Sequence, residues 1–165
     1  MTNFPLSENF SFFDLCPTNT SLLEVNKQEA LDYVIPLKIL ADTLLEPAAD
    51  ILKTKITVTS GFRGGSLNKI LKGSPRSQHT LGEAADIVAA NLTAAQVFEA
   101  LRAARLPYGQ LILEEENGVT WVHISLGYPF RNLNKSLESF TLKQGIVGDY
   151  VKENNYDSFQ KNFRR

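Results

Sequence analysis

Two histidines, His79 and His123, are the only imidazoles in this chain, and Asp86 follows the first of them by seven positions. The stretch SPRSQHTLGEAADIV, residues 74–88, sets His79, Gly82 and Asp86 among small and polar neighbours. Imidazole nitrogens and carboxylate oxygens are the donors of catalytic zinc sites, which take three protein ligands and keep a fourth position for water. Were residues 79–86 helical, seven residues would rise roughly 10 Å. Two ligands that must each come within about 2 Å of one ion cannot easily reach it from there. The spacing therefore predicts a bend, and Gly82 is the residue that permits one. His123 is the one other histidine and the candidate third ligand. Taken alone, the segment also fits a loop histidine followed by an aspartate that caps a turn, because isolated motif matches often mislead.

The element that carries His123 is the clearest in the chain. In GQLILEEENGVTWVHIS, Asn117-Gly118 lies between two apolar-rich runs, the strongest short-range hairpin signal. A two-residue turn there pairs Glu116 with Val119, Glu114 with Trp121 and Ile112 with His123. Opposed residues share a face, so Leu111, Leu113, Val122 and Ile124 form a core face. The other face carries Gln110, Ile112, Glu114, Trp121, His123 and Ser125, while Glu115 points the other way. A wet polar face would explain that set too.

Other elements frame this hairpin. KITVTSGFR alternates apolar and polar residues and reads as a strand ending at Ser60-Gly61. GGSLNKILKGSPRS reads as a loop with room for one helical turn. AADIVAA fits strand or helix. NLTAAQVFEALRAAR opens with Thr93 and Gln96 at capping-box spacing, with Ala94, Val97, Phe98 and Leu101 as its buried stripe. Apolar residues also recur at helical spacing from Lys27 to about Lys53, where Pro36 and Pro47 predict two pieces rather than one rod. LSENFSFFDLC reads as a segment wrapped onto the body, and ESFTLKQGIV as a further strand. The economical reading is one α+β domain: a small antiparallel sheet with flanking helices.

Composition bounds the function. Hydrophobic residues make up 43% and charged residues 21%, as in a soluble globular protein. The formal net charge of -1 gives no reason to expect nucleic acid or an anionic membrane as partner. Cys16 is the single cysteine, so neither an internal disulfide nor a multi-cysteine metal site can form. No secretory signal or bilayer-length apolar run is visible. The expectation is a protein made soluble, cytoplasmic or carried in a virion, that would meet an external substrate after release or export. Its oligomeric state is not legible.

SGFRGGSLN, SQHTLGEAADI and WVHIS, in that order, resemble the successive signatures of the zinc D-alanyl-D-alanine carboxypeptidase-like peptidases, peptidoglycan-cleaving enzymes that share their fold with the hedgehog signalling domain. LSENFSFFDL and LADTLLEPAADIL also look like the lead-in of phage and bacterial members. The resemblance runs from about Leu6 to Ser125. It implies a zinc peptidase domain over residues 1–130; residues 131–165 match no known pattern and are expected to form a C-terminal extension of unknown role packed on the same domain. It implies zinc held by His79, Asp86 and His123, and an arginine, Arg63, that binds substrate or polarises its carbonyl, which suits a planar guanidinium. Ser77, Gln78 and Trp121 are candidate substrate contacts. The implied substrate is a stem peptide or cross-link of peptidoglycan, cut by carboxypeptidase or endopeptidase action.

One departure stands out. Relatives place a catalytic carboxylate or histidine two or three residues before the last zinc histidine, where this chain has Trp121 and Thr120. Glu114, on the His123 face, is the candidate replacement. The departure also admits a non-catalytic wall-binding or structural protein of the same fold. Iron(II) suits two histidines and a carboxylate as well, but oxygenases of that type place the first histidine and the carboxylate two residues apart on a barrel strand.

Overall fold

The computed structural model describes residues 1–127 throughout and residues 138–144 and 150–153 as backbone strands. Among the described residues one sheet holds six strands: β1 (Ile56–Ser60), β2 (Ala84–Ala89), β3 (Tyr108–Glu116), β4 (Val119–Leu126), β5 (Glu138–Gln144) and β6 (Tyr150–Glu153). Their order across the sheet is β1-β2-β4-β3-β5-β6. The first four are antiparallel throughout, β5 runs parallel to β3, and β6 returns antiparallel. This is the α+β architecture read from the sequence, and ESFTLKQ is the further strand it contains. Apart from β5 and β6, the 131–165 extension lies outside the described residues.

The hairpin has the register that its turn predicts, with Glu116 opposite Val119, Glu114 opposite Trp121 and Ile112 opposite His123. Asn117 and Gly118 both adopt positive φ, 52° and 79°, as a type I′ turn requires. AADIVA resolves as strand β2, between β1 and β4. Its alternation sorts Ala85, Ile87 and Ala89 into the core cluster and turns Asp86 to the opposite face.

That core is closed by helices and by the N-terminal segment. Helix α5 (Ala94–Ala104) begins with the capping box read from Thr93 and Gln96 and buries Ala94, Val97, Phe98 and Leu101. Phe10, Phe12, Leu15 and Cys16 of the lead-in are buried in the same cluster. The helical stretch departs from its two expected pieces. It forms α1 (Leu23–Ala30), α2 (Val34–Leu40) and α3 (Glu46–Leu52), joined by a 3-10 turn at Leu31–Tyr33 and a π turn at Ala41–Leu45. The first break is marked by no proline. It places Pro36 in the opening turn of α2, where its missing N–H costs nothing, and the widened second turn carries the chain into Pro47. GGSLNKILK is less loop-like than expected, since Gly65–Ile70 forms the short helix α4.

Among the described residues, no helix is long and apolar enough to cross a membrane.

Candidate metal centre

The sheet face opposite the core carries the chemistry. Asp86 of β2 and His123 of β4 are direct cross-strand partners, and Ile112 of β3 continues their row. On the other side β1 bulges at Thr59, between the pairs Val58–Ile87 and Ser60–Asp86. The extra residue turns Ser60 away from the core and onto the Asp86 face.

His79 arrives from outside the sheet. It sits in a 3-10 turn, Gln78–Leu81, closed by Gly82 at φ 67°. The left-handed backbone at Gly82 reverses the chain between His79 and Asp86, as their spacing predicted. A second glycine seats the loop before it. A β carbon on Gly61 would lie 2.2 Å from the Leu15 carbonyl oxygen, so only glycine allows that approach. The Gly61 carbonyl then accepts a hydrogen bond from His79 Nδ1 at 2.7 Å. A carbonyl can only accept, so Nδ1 carries the proton and Nε2 keeps its lone pair.

Three donor atoms converge. His79 Nε2 lies 3.2 Å from His123 Nδ1 and 3.3 Å from Asp86 Oδ1, and His123 Nδ1 lies 2.9 Å from the same oxygen. All three residues are buried, at 3%, 7% and 5% exposure. Ligands about 2.0–2.1 Å from zinc at tetrahedral corners stand about 3.3 Å apart, so the triangle has close to the edge a metal ion needs. The donor set fits as well. A lone pair and a carboxylate oxygen face each other, and the single proton available to His123 Nδ1 can satisfy only one of them. A cation at the centre satisfies all three. The group as a whole could hold a metal ion. Burial alone would raise the Asp86 carboxyl, but the two imidazoles outweigh it and hold the group far below the usual carboxylate range.

Around this triangle stand the other residues singled out by sequence. Arg63 Nη2 pairs with Asp86 Oδ2 at 2.5 Å and its Nε donates to Ser60 Oγ at 2.7 Å. Glu114 shares the His123 face and is half-buried. Burial raises its carboxyl above the ordinary range; the nearby Asp86 adds to the shift, while His123, Trp121 and Arg63 oppose it. Trp121 is directly across from Glu114, and its buried indole N–H is directed at that carboxylate, with no partner in closer geometry among the described residues. Ser77 caps the 3-10 turn through its carbonyl, which accepts from Thr80. Gln78 is buried, and its amide reaches the Leu126 carbonyl at 3.5 Å.

The sequence pattern of the family described as Peptidase M15 matches residues 18–125, which span all three donors. The chain belongs to the peptidase M15 family. Membership places it among zinc-dependent metallopeptidases, in keeping with the resemblance read from SGFRGGSLN, SQHTLGEAADI and WVHIS. No curated protein matches the chain.

Sequence reasoning missed three residues that build this M15 site. Asn26 of α1 is buried, donates to the Phe62 carbonyl at 2.9 Å and accepts from Gly64 N–H at 2.7 Å, gripping the loop on both sides of Arg63. Thr59 Oγ1 donates to the Asp86 carbonyl at 3.1 Å, and Ser60 anchors the Arg63 guanidinium. Nothing in the pattern of the sequence marks any of the three, since the burial of Asn26 shows only in the fold.

Proposed function

We propose that this protein hydrolyses peptide bonds of peptidoglycan stem peptides or cross-links with zinc held by His79, Asp86 and His123. The convergence of two imidazole nitrogens and one carboxylate oxygen within a buried triangle carries the reading. Zinc bound there would supply Lewis acidity, lowering the pKa of a coordinated water toward about 7.

The chain's own residues do the remaining work. Glu114 takes the proton from the attacking water and returns it to the departing amine. A carboxyl raised by burial suits both halves of that task, because a general base works best when its pKa approaches the working pH. Arg63 has its Nε and one Nη2 hydrogen committed, which leaves Nη1 without a partner among the described residues. Those N–H groups can face the oxyanion of the tetrahedral intermediate. Trp121, whose indole N–H is directed at Glu114, and Ser77 and Gln78 of the His79 turn are assigned to substrate contact. The nature of the cut, carboxypeptidase or endopeptidase, follows from which peptides the site accepts.

The test is release of new amino groups from purified peptidoglycan by zinc-loaded protein, repeated with Glu114→Gln. The expected result is activity in the native chain and a loss of at least about 100-fold in the variant. Zinc-loaded protein that binds the wall but never releases an amine would instead establish a binding module built on the same fold. The occupants of positions 120 and 121, Thr120 and Trp121, are what favour that second reading.

A further inference from the structure

Arg63 touches two of the three donor residues at once. Its main-chain N–H donates to the His79 carbonyl at 3.1 Å, and its guanidinium holds Asp86 Oδ2. The two oxygens of Asp86 are thereby given separate tasks. Oδ1 faces both imidazoles, and Oδ2 is occupied by a charge-assisted hydrogen bond.

We propose that Arg63 is a positioning residue that keeps Asp86 a one-oxygen ligand and so preserves an open coordination position at the metal. The inference rests on the zinc reading of the site. A carboxylate can grip a cation through one oxygen or both, and a two-oxygen grip would fill space that a hydrolytic site keeps for water or substrate. The guanidinium prevents the swing because it is itself fixed. Ser60 holds Nε, Asn26 clamps Phe62 and Gly64 on either side, and Phe62 N–H is bound by the Leu15 carbonyl at 2.8 Å. The bulge in β1 serves the same end, because it turns Ser60 onto the face where Nε can reach it.

Cobalt(II) reports the coordination number directly, since four-coordinate cobalt absorbs visible light far more strongly than five- or six-coordinate cobalt. The full chain, loaded with cobalt, is compared with Arg63→Ala, Arg63→Lys and Ser60→Ala, reading visible absorption and affinity by chelator competition. Arg63→Ala is expected to bind cobalt about 10–100-fold more weakly and to lose visible intensity as Asp86 swings to bind through both oxygens. Arg63→Lys, which can still donate to Oδ2, is expected to recover part of the spectrum. Ser60→Ala, which loosens only Nε, is expected to show the same change in smaller degree, and it carries the test if circular dichroism shows Arg63→Ala unfolded. A folded Arg63→Ala protein with native spectrum and affinity overturns the inference alone, as does an unaltered Ser60→Ala spectrum should the alanine variant not fold. A native chain that takes up no cobalt overturns the zinc reading and the inference together.

Discussion

The two halves of the metal centre are built by different physics. Asp86 and His123 sit opposite each other on adjacent strands, so the ladder fixes their separation with no further device. Residues 61–82, which bring Arg63 and His79, have no such ladder. They are held by the buried Phe62 ring and by single contacts: Asn26 on the loop backbone, Leu15 against Gly61, the Gly61 carbonyl on His79, and a left-handed turn at Gly82. A strand-borne donor is secured by many equivalent hydrogen bonds. A loop-borne donor depends on a few that cannot substitute for one another.

The largest test of that contrast removes a donor or the metal. His79→Ala and His123→Ala should each weaken zinc binding by more than about 100-fold, since losing even an outer partner of a ligand costs 10–100-fold. Titration against a metal-sensitive dye measures this. In chelated native protein, amide exchange should quicken over residues 61–82 and stay slow in β2 and β4. Uniform quickening would break the comparison.

Next come the loop's glycines. Gly61→Ala should cost about 1–3 kcal/mol, because a new methyl would press on the Leu15 backbone, which no rotamer can move aside. Denaturant unfolding reads the stability, and zinc affinity should fall with it. Gly82→Ala should cost about 1–2 kcal/mol for its left-handed φ, with Leu37 and Tyr33 crowding the new carbon at 3.2 Å and 3.3 Å. The smallest effect belongs to Thr93→Ala at the start of α5. It should lower stability by about 1 kcal/mol and leave zinc affinity unchanged, because the capping box stands apart from residues 61–82. A Thr93→Ala protein with impaired metal binding would show that the two halves are not separable.

The same division explains what could be read in advance. The hairpin register followed from Asn117-Gly118, and the α5 start from Thr93 and Gln96, because each signal lies within a few residues of what it determines. The bend at Gly82 followed from the reach of a metal ligand. By contrast, the grip of Asn26 on Phe62 and Gly64, the Arg63–Asp86 pair and the β1 bulge join residues more than twenty positions apart or hinge on one irregular pairing. Periodicity carries no trace of such contacts. The three-part helical stretch went unread for a related reason: prolines mark where a helix is interrupted by chemistry, and the turn at Leu31–Tyr33 has none.

The family match begins at residue 18, yet two carbonyls of the preceding segment support the loop that bears the arginine: Leu15 accepts from Phe62 N–H in that loop, and Cys16 accepts at 3.5 Å from the amide of Asn26, the α1 residue that grips it. A shortened polypeptide starting at Thr18 would keep every donor to the ion and lose the cradle beneath it. The matched stretch is therefore smaller than the piece of chain that packs around the centre, and trimming to its border would yield a protein whose defect mimics an inactive enzyme.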